Sequence, residues 1–137
     1  MRRLLVLIFL CFAFFSCGNE AVIDSNWLEE NYSKSEVMIP MRDGVSLYTS
    51  VYQPVGSEDR PVLMVRTPYS CAPYGDGWKG DLTEYMTEFL KNKYIIVFQD
   101  VRGRYMSEGE YENVRPFDPH KSGVETDEAS DTFDTIE

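Results

Sequence analysis

A chain of 137 residues with 43% apolar and 26% charged residues is long enough for one domain with a sizeable core, and its makeup excludes a disordered or low-complexity polymer. Its formal charge of −10 disfavours phosphate-rich partners, and after residue 16 there is no basic stripe with interleaved aromatics, which excludes a nucleic-acid-binding protein.

The first sixteen residues have the pattern of an export signal. Met1-Arg2-Arg3 is the positive start, and Leu4 to Phe15 is an apolar run too short to span a bilayer. Ser16-Cys17, a small residue directly before a cysteine, resembles the lipobox of bacterial lipoproteins, with Phe14 departing from the aliphatic usual there. That resemblance implies lipidation of Cys17, a membrane anchor, and a place in the bacterial cell envelope, periplasm or outer membrane. Loss of Arg2 and Arg3 with the leader would take the charge to −12. Cys71 is then the one free thiol of the mature chain, with no disulfide framework possible. Residues 17–35 are polar with isolated apolar positions and read as a tether that docks at Trp27.

From residue 36 the pattern is that of an α/β fold. Val37, Ile39 and Met41 alternate on one face, Arg42-Asp43-Gly44 turns, and Val45, Leu47, Thr49 and Val51 alternate again, which predicts a β-hairpin with Tyr48 and Tyr52 on the opposite side. The continuous apolar runs at 62–65 and 94–98 predict parallel strands covered on both faces. Between them Leu82, Tyr85, Met86, Phe89 and Leu90 fall at helical spacing, with Asp81 and Glu84 as a capping pair. A further helix is predicted from about Thr126, with Asp127 and Glu128 in its first turn and Ala129, Phe133 and Ile136 on one face. A hairpin and two parallel strands cannot cover their own faces, so the sequence reads as the N-terminal portion of a larger α/β domain.

Four stretches carry a family resemblance: Ile39-Pro40-Met41-Arg42-Asp43-Gly44, Arg66-Thr67-Pro68-Tyr69, Gln99-Asp100-Val101-Arg102-Gly103-Arg104 and Ser107-Glu108-Gly109-Glu110. Together they resemble the start of the Xaa-Pro dipeptidyl-peptidase (S15) family, which includes cocaine-esterase-like and α-amino-acid ester hydrolases. The match spans about residues 36–137. It implies an α/β-hydrolase domain with a Ser-Asp-His triad in that chain order, acting on small-molecule esters or amides or on Xaa-Pro peptides, without a cofactor. It also implies that Tyr69, in the R-x-P-Y motif, is a phenolic donor to the oxyanion of acyl transfer. The triad residues are expected beyond Glu137, and this chain alone is expected to be inactive. The rival class is a non-catalytic, lipid-anchored binding protein on a hydrolase-like scaffold, and the sequence is silent on oligomeric state.

Other candidates read as structural. Ser107-Glu108-Gly109 lacks the first glycine of a nucleophile elbow, having Tyr105 there, and His120 lies in a polar loop against the family's chain order. Arg102 and Arg104 stand beside Asp100, Glu108 and Glu110 as loop-holding pairs, with Gly103 and Gly109 serving backbone geometry. Cys71 has no histidine in a context that suggests a partner. The acids from Glu125 to Glu137 read as a solvated helix face rather than metal ligands.

Overall fold

The computed structural model describes residues 22–56 and 59–137. The proposed leader and Cys17 lie outside the described residues. Within them, Ser25–Asn31 forms helix α1, followed by strands β1 (Tyr32–Pro40), β2 (Ser46–Pro54) and β3 (Val62–Thr67). Two short helices, α2 (Leu82–Tyr85) and α3 (Thr87–Lys91), lead to β4 (Ile95–Asp100), and α4 (Glu128–Ile136) closes the chain. None of these helices is long and apolar enough to cross a membrane.

The four strands make one mixed sheet in the order β1-β2-β4-β3. The hairpin is antiparallel, with Ile39 opposite Leu47 and Val37 opposite Thr49. Its turn is the expected one: Gly44 takes φ +86°, its N–H donates to the Met41 carbonyl, and Asp43 Oδ1 accepts from the Val45 N–H. β4 then runs antiparallel to β2 and parallel to β3, with Thr67 level with Asp100, so the chain reaches β4 by a crossover.

The core sits on one face. Tyr48, Tyr52, Ile96 and Phe98 from the sheet pack with Leu28, Tyr32, Leu82, Leu90 and Cys71, and the rings of Tyr52 and Phe98 meet edge-on with centroids 6.2 Å apart. The stretch read as a tether is folded from Ser25 onward. Trp27 packs against the core as expected, but Leu28 and Tyr32 go deeper, and the Tyr32 hydroxyl donates to the carbonyls of Leu90 and Tyr94.

Two expectations change. The helix between the parallel strands is broken at Met86 (φ −112°, ψ 10°), where the Thr87 hydroxyl donates back to the Thr83 carbonyl and competes with the backbone ladder. Leu82 and Leu90 of the predicted stripe are buried, while Tyr85 is exposed. Asp81 makes no side-chain cap bond, since its own backbone is already helical and its carboxylate pairs with Lys79 at 3.6 Å. The second face of the strands is open in part among the described residues, as expected for a hairpin and two parallel strands that cannot cover their own faces: Val62 is 58% exposed, and Ile39, Val51, Val62, Met64 and Val97 line an apolar groove of roughly 380 Å³ there.

The largest correction concerns α4. Its start is as expected, with Asp127 as N-cap accepting from the Ser130 N–H in a capping box. Its inward face is polar, however. Ser130 and Asp131 are buried, whereas Ala129 and Phe133 (56% exposed) face outward and Ile136 (73% exposed) borders the apolar groove. The acids are therefore not a uniformly solvated face. Asp131 takes the guanidinium of Arg102 at 2.6 and 3.0 Å, and Asp127 takes Lys121 at 2.8 Å. A row of polar side chains across the sheet receives the helix: Gln99 donates to Thr49 and Thr135 at 2.9 Å, and Arg66 donates to Gln99, Glu128 and Thr132.

Candidate active site

Because β3 and β4 are parallel neighbours, both strands end at the same edge, and the loops after Thr67 and Asp100 meet there. In open α/β sheets that edge is where ligands bind. Tyr69 lies in the first of these loops, two residues past the end of β3. Its backbone N–H donates to the Thr67 hydroxyl at 3.0 Å, and the carbonyl of Pro68 accepts from Arg104 Nε at 3.1 Å. The ring itself is 84% exposed. A tethered backbone thus presents a solvent-facing phenol.

The loop continues through Ser70, whose φ of +89° is rare for a residue with a side chain. The Ser70 hydroxyl accepts from the Ala72 N–H and shares a hydrogen bond of 2.9 Å with the Tyr74 hydroxyl. Tyr74 in turn donates to Asp100 Oδ2 at 2.9 Å, and the Cys71 N–H donates to Asp100 Oδ1 at 2.8 Å. Burial, with Asp100 adding to it against the opposing Ser70 bond, pushes the Tyr74 phenol up to about 12. It is a donor in this chain and not a base at neutral pH. Cys71 is fully buried, and burial together with the Asp100 carboxylate raises its thiol well above the ordinary range. A protonated, inaccessible thiol is no nucleophile.

The loop after β4 is built from the second half of the motif set. A Cβ on Gly103 would run into the backbone of Glu110 and Tyr111, and its φ is +68°, so this position requires glycine. Arg104 stacks its guanidinium over Tyr105 and Tyr111 at 5.2 and 4.9 Å while holding Pro68. Ser107 is buried, donating to the Asp100 carbonyl at 2.6 Å and accepting from the Tyr48 N–H at 2.8 Å. Its hydroxyl is committed to joining the loop to β2. Glu108 does the same one residue on, accepting from the Ser46 N–H at 2.9 Å.

Arg102 is a structural residue in this geometry. It is buried between Asp131 and Asp43, the turn residue of the hairpin, which accepts at 2.7 Å. Sequence reasoning placed Arg102 among nearby acids, but its partners lie 59 and 29 positions away, where no local signal points. His120 is exposed, its N–H donating to Asp118. Among the described residues no group of three or more His, Cys, Asp or Glu is gathered as for a metal.

Comparison with known proteins gives this edge a context. The family model of the X-Pro dipeptidyl-peptidases (S15 family) matches residues 43–137. Cocaine esterase from Rhodococcus sp. (strain MB1 Bresler) is 39% identical over 110 residues, covering 80% of this chain and 17% of the esterase. An aminopeptidase from a marine sediment archaeon, Thaumarchaeota archaeon, superposes with a TM-score of 0.65 at 37% identity over 77% of this chain and 18% of its own. An α-amino acid ester hydrolase superposes with the same TM-score at 35% identity, over 93% of this chain and 21% of its own. This chain therefore spans about a fifth of the length of these relatives. With the family model covering more than half of it, and the sheet shared with two hydrolases, the chain belongs to the S15 family of hydrolases.

Proposed function

We propose that this chain is the N-terminal portion of an exported, lipid-anchored serine hydrolase that cleaves small-molecule ester or amide bonds, or Xaa-Pro peptide bonds. Tyr69 supplies one donor of its oxyanion hole. The observation that carries this reading is the Tyr69 loop: a phenol open to solvent at the carboxyl edge of the sheet, on a backbone tied by Thr67 and Arg104.

The chemistry follows from charge. A serine Oγ attacking the scissile carbonyl moves the C=O electron pair onto oxygen. A phenol on a tied backbone, donating to that oxygen, stabilises the tetrahedral species, and one such donor is worth roughly 3 kcal/mol. The serine, its acid and its histidine come from outside residues 22–137, as does the second donor. The printed activities of the relatives, an esterase, an aminopeptidase and an ester hydrolase, support hydrolysis and leave the substrate within those classes. Lipidation at Cys17 would anchor the enzyme at the bacterial envelope.

A fluorophosphonate probe tests the nucleophile. The intact protein should be inactivated with one label on a serine outside residues 22–137, whereas residues 17–137 alone should take up no label and hydrolyse no p-nitrophenyl ester. Labelling of Ser107 or Ser70, or turnover by residues 17–137, would overturn the assignment. An intact protein without any labelled serine would favour the non-catalytic binding reading instead.

A further inference from the structure

Tyr69 has little packing of its own, since its ring is 84% exposed. The loop backbone therefore sets where the phenol starts from, through the direction of the Cα–Cβ bond, and Asp100 is a buried residue that reaches into that backbone. It ends β4 level with Thr67, it is fully buried, and both carboxylate oxygens are engaged by neutral groups: the Cys71 N–H at 2.8 Å, the Tyr74 hydroxyl at 2.9 Å and the Met106 N–H at 3.3 Å. No ion pair to Asp100 is formed among the described residues. A buried carboxylate with only neutral donors is costly to keep, so its placement between two loops calls for a role.

The donors define that role. Cys71 and Tyr74 follow Tyr69 by two and five residues, and Met106 belongs to the loop whose Arg104 holds the Pro68 carbonyl. The Ser70 hydroxyl, on the residue with φ +89°, is linked to Asp100 through Tyr74. Asp100 thus pins the turn downstream of Tyr69 while Arg104 and Thr67 pin the residues at and before it. We propose that Asp100 is a positioning residue for the Tyr69 phenol, fixing through Cys71, Tyr74 and Met106 the turn that aims it at the oxyanion. This deepens the reading of Tyr69 as an oxyanion donor and rests on it.

The test is a double-mutant cycle in the intact hydrolase, with kcat and KM measured on p-nitrophenyl acetate and folding followed by thermal melts. Asp100→Asn should lower kcat roughly tenfold or more with KM within about twofold, since misplacing a donor costs the transition state rather than ground-state binding. The loss should vanish when the Tyr69→Phe change is already present. Tyr74→Phe, which leaves the Cys71 and Met106 bonds in place, should show the same coupling at about threefold and keeps the test open if Asp100→Asn fails to fold. An equal loss with and without Tyr69→Phe, or an unchanged kcat, overturns the positioning role while leaving Tyr69 intact as a donor. A Tyr69→Phe enzyme with full kcat overturns the donor reading itself, and the positioning role with it.

Discussion

On one face of the sheet Tyr48, Tyr52, Ile96 and Phe98 meet Leu28, Leu82 and Leu90, side chains with shape and little charge. On the other, α4 meets the sheet through Thr49, Gln99, Arg66, Arg102 and Asp131, a set that is almost wholly polar. The apolar face gains by removing area from water and tolerates any partner of suitable volume. The polar junction gains only where donors meet acceptors in fixed geometry, and nearly all of them do here, Arg66 Nη2 reaching Asp131 only at 3.6 Å, so it favours one place and orientation for α4. That placement matters because Arg102 ties α4 and the hairpin turn to the strand end from which the Tyr69 and Asp100 loops rise. Apolar packing holds one face of the sheet, and charged and polar bonds hold α4 against the other.

The difference can be broken at either face. Asp131→Ala leaves Arg102 buried without its main acceptor and should cost about 3–5 kcal/mol in urea unfolding, the amount usual for orphaning a buried charge. Leu90→Ala on the apolar face should cost about 3 kcal/mol through lost burial and a cavity. A loss below about 1 kcal/mol for Asp131→Ala would mean that the polar junction does not hold the helix.

Acid should separate the two faces further. Burial works to raise the Asp127 carboxyl, but hydrogen bonds from Lys121, Ser130 and the Asp118 N–H overcome it and hold it well below its usual 3.8, and the Arg42 guanidinium lowers Asp134. Carboxyls lowered on folding contribute stability that is complete above their unfolded value and is lost as pH falls through the folded one. The urea midpoint should therefore drop as pH falls below about 4, and Asp127→Asn should flatten that dependence while Leu90→Ala leaves its slope alone. The smallest effect is expected at Phe133, whose half-exposed ring meets the Arg42 guanidinium at 5.9 Å: Phe133→Ser should cost no more than about 1 kcal/mol.

Period-2 alternation placed the hairpin, and Asp43-Gly44 placed its turn, because those signals are local and the turn geometry demands those residues. The crossover was legible from the order of apolar run, helical spacing and apolar run, whereas the R-x-P-Y loop was singled out only through the family resemblance. The inward face of α4 was not, because Ala129, Phe133 and Ile136 form an apolar stripe that would ordinarily mark the buried side. What overrides it is a set of partners far away in sequence: Arg66, Gln99 and Arg102 come to α4 from the strands and the loop after β4, and only the folded sheet gathers them. Asp100 was hidden likewise. Arg102 and Arg104 follow it closely in sequence, but its carboxylate bonds to Cys71 and Tyr74, 29 and 26 residues earlier.

The most direct measurement is kcat for Tyr69→Phe in the intact hydrolase on a p-nitrophenyl ester. With Tyr69 as an oxyanion donor, kcat should fall by about 10²-fold or more, while a melt shows no change beyond about 0.5 kcal/mol for this exposed ring. A kcat equal to that of the wild type would contradict the assignment and leave the carboxyl edge without its proposed donor.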